Sequence, residues 1–91
     1  MYTVSVKLTF NIPYSTSLKD KRQVRRSIID SARRKYNASV AEVDTQDSHK
    51  TLTIGVAVVS GDDAHARESI DEIIRFMDEY ADAEIIGAEI Q

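Results

Sequence analysis

Tyr2-Thr3-Val4-Ser5-Val6-Lys7-Leu8-Thr9-Phe10, followed past Pro13 by Ser17-Leu18-Lys19-Asp20, is the stretch that decides the fold. Apolar and polar residues alternate from Tyr2 to Phe10, and a period of two predicts a strand with one buried face. That face holds Tyr2, Val4, Val6, Leu8 and Phe10. Pro13 lacks the donor a strand interior needs, so the strand ends before it. Ser17 with Asp20 three residues on has the pattern of a capping box, which opens a helix. Leu18, Val24, Ile28, Ala32 and Tyr36 keep helical spacing to about Tyr36, with Asn37 as the expected left-handed stop.

The rest of the chain repeats this grammar. Ala38–Asp44 reads as a second strand, and the polar Thr45–Lys50 as the loop of a hairpin. Leu52, Ile54, Val56 and Val58 alternate with small residues as a third strand. Ser60-Gly61-Asp62-Asp63 offers cap chemistry again, and Ala66, Ile70, Ile73, Ile74, Met77 and Tyr80 form one apolar helix face. Glu84–Ile90 is a short final strand, in which adjacent Ile85 and Ile86 place apolar groups on both faces. The order β-α-β-β-α-β with right-handed crossovers predicts an α+β, ferredoxin-like fold. Its four-stranded antiparallel sheet carries both helices on one face.

Composition supports one domain spanning residues 1–91. Of the 91 residues 42% are hydrophobic and 30% charged, with 3 Gly and 1 Pro, which excludes disordered and collagen-like classes. The absence of cysteine excludes disulfides, thiolate nucleophiles and cysteine-based zinc sites. No apolar run is long enough to span a bilayer, and the alternating N-terminus does not resemble a signal peptide. The expected location is therefore cytoplasmic, with no membrane partner. The net charge of −3 hides a strong division. Residues 1–36 carry nine Lys and Arg against Asp20 and Asp30, whereas residues 37–91 carry three against thirteen Asp and Glu. Such asymmetry points to a charged partner, to internal pairing, or to both.

The first helix concentrates the positive charge. At 100° per residue, Lys19, Arg22, Arg26 and Arg33 share one stripe opposite Val24, Ile28 and Ala32. Arg33, Arg34 and Lys35 in the last turn suit the helix dipole, but Lys19, Lys21 and Arg22 stand at the wrong end for it. Ser15, Thr16 and Ser17 precede the same helix start, and hydroxyls, lysines and a helix N-terminus together suit a phosphate. Ser17, Lys19, Lys21, Arg22, Arg26 and Arg33 are accordingly the expected nucleic-acid or phosphate-binding set. The outer sheet positions Thr3, Ser5, Lys7, Thr9, Thr53, Gly55 and Ala57 offer no aromatic platform, so contact with RNA would be to backbone rather than base. The same small residues suit a homodimer face. Arg25, about 60° from Ile28 on the core side, needs a partner. Asp71, Glu72 or Asp78 of the second helix, or a strand carbonyl, is expected to supply it.

Glu42, Asp44, Asp47 and His49 cluster in sequence around the hairpin, but one histidine among mixed carboxylates is a poor match to metal-ligand sets, and no metal or cofactor is expected. An acylphosphatase-like activity is the third reading after RNA binding and protein interaction. The loop Asn11-Ile12-Pro13-Tyr14-Ser15-Thr16 has an Asn but neither Arg nor a glycine-rich cradle. The expectation is a binding domain and not an enzyme.

Three segments carry a family resemblance: Ser17-Leu18-Lys19-Asp20-Lys21-Arg22, Val40-Ala41-Glu42-Val43-Asp44 with Gln46-Asp47, and Gly55-Val56-Ala57-Val58-Val59-Ser60. In this order and spacing they resemble the YlxP-like family of small bacterial domains. The resemblance covers nearly the whole chain and implies the ferredoxin-like fold. It implies no activity, but genes of this family often neighbour those of translation initiation and ribosome maturation, which suggests RNA or a ribosomal particle as partner. Two positions depart from the family pattern. Position 25, usually apolar, is Arg25, and the β2–β3 loop has Asp47-Ser48-His49-Lys50 in place of an aromatic residue.

Overall fold

The structure, a computed structural model, describes residues 1–80 and 82–91. Its elements are β1 (Tyr2–Asn11), α1 (Leu18–Lys35), β2 (Ser39–Asp44), β3 (Thr51–Ser60), α2 (Asp63–Asp78) and β4 (Glu84–Ile90). The strands form one sheet in the order β2-β3-β1-β4, each neighbouring pair antiparallel. The expected ferredoxin-like arrangement is therefore the observed one.

The two ten-residue strands take the centre, where both edges find a partner. Their register places Val4 opposite Val58, Val6 opposite Val56, Leu8 opposite Ile54 and Phe10 opposite Leu52. All eight side chains are buried on the helix side. A slip of one residue would move the whole set to the opposite face, so the hydrophobic alternation locks the register. Burial of each large side chain contributes about 1.5–3 kcal/mol. Helix α2 packs over β1 and β3, whereas α1 lies over β2. Ile70, Ile73 and Met77 complete the core from α2, and Ile28, Ile29 and Ala32 from α1.

Two end positions differ from expectation. Tyr2 is 47% exposed, because the start of β1 runs past the cover of the helices. Asn37 is not left-handed: α1 ends at an extended Tyr36 (φ −124°, ψ 145°) whose N–H donates to the Ala32 carbonyl. The Tyr36 ring meets Phe76 of α2 edge-on at 5.5 Å, an aromatic contact that fixes the exit direction. Thr45, at the end of β2, is the non-glycine residue with positive φ (61°) among the described residues.

Two strands gain an extra residue. On β2, Glu42 pairs with Ile54 and Asp44 with Thr53, leaving Val43 as the extra residue of a bulge. On β4, Gly87 pairs with Thr9 and Ile85 with Phe10, leaving Ile86 unpaired and exposed. The second bulge explains the adjacent isoleucines: Ile85 packs on the core and Ile86 sits at the irregularity.

Candidate nucleic-acid interface

Lys19, Arg22 and Arg26 are exposed along α1, as the helical phase predicts, and make no hydrogen bond or ion pair among the described residues. Beside them a groove of about 450 Å³ runs between α1 and β2. Arg25, Arg26 and Arg33 line it together with Asp30, Glu42 and Gln46. Three guanidiniums on one groove, two carboxylates among them, lie beside the exposed Lys19 and Arg22 of the same helix.

Lys21 does not belong to that surface. Its side chain is buried, and Nζ donates to the Thr45 carbonyl and stands 3.0 Å from Glu42 Oε2. Glu42 Oε1 accepts from Arg25 Nη1 at 3.1 Å. The Glu42 carboxylate is 9% exposed, Arg25 32% and Lys21 3% by side chain, so the triad passes from the interior towards solvent. Oε2 lies outside ideal hydrogen-bond geometry. At 3.0 Å we read its contact with the ammonium as an ion pair. The assignment of Lys21 to phosphate binding is thereby corrected: taking this ammonium out would leave Glu42 half-compensated and Thr45 without its donor.

The expected partner of Arg25 is corrected as well. It pairs with Glu42 of β2 and not with Asp71, Glu72, Asp78 or a strand carbonyl. The reason is the position of α1 over β2, which turns the Lys21-Arg25-Ile29 row of the helix towards that strand. A signal for this pair exists in the sequence. Glu42 stands two residues after the buried Val40, at an inward position of β2, and Arg25 stands at an inward position of α1. Two misplaced charges of opposite sign are best read as one another's partner.

Arg33 is exposed in part but engaged. Nε donates to the Val40 carbonyl at 3.1 Å, and Nη2 reaches the same oxygen. Val40 lies on the edge strand, so the guanidinium covers an acceptor that would otherwise invite another strand. Arg33 thus shapes the groove wall and keeps only part of its donor set for a ligand.

The start of α1 is also less open to anions than its composition suggests. Ser17 is the N-cap, and its Oγ accepts the Asp20 N–H at 3.1 Å. The Asp20 carboxylate reaches one residue further back than in the usual box, accepting the Thr16 N–H at 3.0 Å and the Thr16 hydroxyl at 2.8 Å. Ser15 is buried and donates to the Ser17 carbonyl at 3.1 Å. The hydrogen bonds from Thr16 hold the Asp20 carboxyl below its ordinary pKa, and the nearby Lys19 adds to this. All three hydroxyls have internal partners, and a carboxylate already faces the positive end of the helix. Ser17 is a cap before it is anything else.

Around the hairpin, the bulge at Val43 separates the acidic residues. Glu42 faces α1, whereas Asp44 lies on the opposite sheet face, 3.5 Å from Lys7 Nζ. Among the described residues no group of His, Asp and Glu is placed to hold a metal ion. No described helix is long and apolar enough to cross a membrane.

The fold and this basic groove define a small ferredoxin-like domain with one cationic helix. The chain belongs to the family described as "Protein of unknown function (DUF503)", which it matches over residues 3–90. It is similar to the uncharacterized protein YlxP of Bacillus subtilis (strain 168), with 29% identity over 68 residues that cover 75% of this chain and 74% of the relative. The resemblance to the YlxP-like family is thus shown by sequence comparison. Among solved structures, a de novo designed protein with a ferredoxin fold superposes with a TM-score of 0.63. At 19% identity, covering 100% of this chain and 86% of the designed one, that likeness concerns the fold alone.

Proposed function

We propose that this domain is a non-catalytic binding module that holds the phosphate backbone of RNA along α1. The observation that carries the reading is the continuous cationic surface of Lys19, Arg22 and Arg26 with the groove between Arg25, Arg26 and Arg33. Exposed cations without internal partners release counterions when they meet phosphate, which supplies sequence-independent affinity. No aromatic residue stands on the outer sheet positions of β1 and β3, so base stacking of the RNA recognition motif type has no platform here. The exposed carboxylates of α2, among them Glu68, Asp71, Glu72 and Asp78, confine a polyanion to the α1 side. Lys21 contributes indirectly, by holding β2 and α1 together beneath the groove.

The frequent neighbourhood of YlxP-like genes with those of translation initiation and ribosome maturation suggests ribosomal particles as the first RNA to test. Binding of a short labelled single-stranded RNA and co-sedimentation with ribosomal particles are measured at low and high salt. The parent is expected to bind both, with a log–log salt slope of roughly −0.7 per phosphate on single strands. The triple variant Lys19→Glu, Arg22→Glu, Arg26→Glu alters only solvent-facing side chains and is expected to fold and to lose binding. Undiminished binding by the folded triple variant, or none by the parent at low salt, refutes the proposal.

A further inference from the structure

The sheet face turned away from both helices is unpartnered, and its shape and charge point to a second copy of this chain. The alternation that buries Val4, Val6 and Leu8 beneath the helices sends Ser5, Lys7 and Thr9 to the other side. There they meet Ala57, Gly55 and Thr53 of β3. A shallow trough of about 380 Å³ lies on this face, with Ser5, Ser39, Ala41 and Ala57 among its lining residues. Val43, 44% exposed, lines the same trough and lies so close over Gly55 that a Cβ there would come within 2.8 Å of Val43 Cγ1. The valine at the bulge is thus a partly exposed knob on the wall of a hollow floored by small residues. Knob and hollow on one surface are what an isologous contact requires, since each copy supplies both.

The charges on the face complement a second copy too. Lys7 stands near its middle, 3.5 Å from Asp44 on one side and 3.9 Å from Glu89 on the other. Both pairs are long and half exposed, so an approaching Lys7 of the second copy finds carboxylates to share without a buried pair being broken. The area also suffices. The 33 strand residues, at about 3.3 Å rise and 4.8 Å spacing, pave roughly 500 Å² per copy before surface relief is counted. Two copies bring roughly 1,000 Å² together, the lower bound of a specific interface.

We infer that the domain forms a two-fold dimer through the outer sheet face, with Val43 of each copy seated against the Ala41 and Ala57 hollow of the other. The two α1 helices then point away from each other, so this inference stands or falls independently of RNA binding. Sedimentation velocity and light scattering on the whole chain, over a wide concentration range, are expected to give twice the 10.2 kDa of one chain. Ala57→Arg fills the hollow with charge and is expected to weaken the dimer by at least about tenfold. Val43→Asp, at an exposed position, should do the same, and circular dichroism verifies that both remain folded. A parent that stays monomeric at all concentrations overturns the inference. So does a dimer that survives both folded variants, or one that Arg26→Glu on the helix layer dissolves.

Discussion

Replacing Glu42 by Gln tests the most consequential feature that the fold assembles. The substitution preserves size but removes the charge that compensates Lys21, whose Nζ lies 3.0 Å away in a buried environment. Breaking a buried pair by deleting one partner costs about 3–5 kcal/mol, because the other charge remains desolvated. A domain of 91 residues has a total stability of about 5–14 kcal/mol, so at least about a fifth of it is at stake. With an unfolding entropy of about 2.1 cal/mol/K per residue, the melting temperature should fall by roughly 15–25 °C. Lys21→Met should cost less, since Glu42 keeps Arg25 at 3.1 Å and Arg25 leads to solvent. The double variant Lys21→Met, Glu42→Leu removes both charges and should recover much of the loss of Glu42→Gln, as apolar replacement of buried ion pairs does elsewhere. Thermal and urea unfolding of the three variants measures these differences. If Glu42→Gln melts within a few degrees of the parent, or if Lys21→Met is the more damaging, the triad is not the structural brace described. Unperturbed stability of Lys21→Met combined with lost RNA affinity would return Lys21 to the binding surface.

Other outcomes follow from the same geometry. The depressed pKa of Asp20 means that its ionised form is favoured by the fold, so its contribution is present above the unfolded value of 3.8 and is lost as pH falls through the lower folded value. The stability gap between the parent and Asp20→Asn should therefore be steady at neutral pH and close in the acid limb, and a gap that persists into strong acid refutes the Thr16 contacts as its cause. Ser17→Ala should cost about 1 kcal/mol through the lost N-cap, read by chemical denaturation. Leu8→Ala, in a fully buried site between Ile54 and Ala88, should cost about 2–5 kcal/mol with an unchanged dependence on denaturant. Gly55→Ala should destabilise by about 1–2 kcal/mol through contact with Val43, and Val43→Ala in the same chain should relieve it.

The elements, their order and the sheet face that meets the helices were legible along the chain, because hydrophobic period is a local property and two long alternating strands leave one consistent register. The exposed cations Lys19, Arg22 and Arg26 were legible for the same reason: helical phase opposite Ile28 and Ala32 places them in solvent. Phase could not say which neighbour the flanks of α1 would meet. That depended on α1 lying over β2, which brings Lys21 and Arg25 to Glu42 across 21 and 17 positions of sequence. The bulge at Val43 likewise set Glu42 and Asp44 on opposite faces, although their spacing of two would keep them together on a regular strand. Ser15, Thr16 and Ser17 spent their hydroxyls on the loop and cap, where nearby backbone groups and the Asp20 carboxylate are their partners. Period and phase reside in consecutive residues, and so the sequence alone determined which side chains turn inward. Which charge an inward-turned Lys21 or Arg25 would meet was decided by helix placement and a single extra residue in a strand, and these exist only when the whole chain has packed.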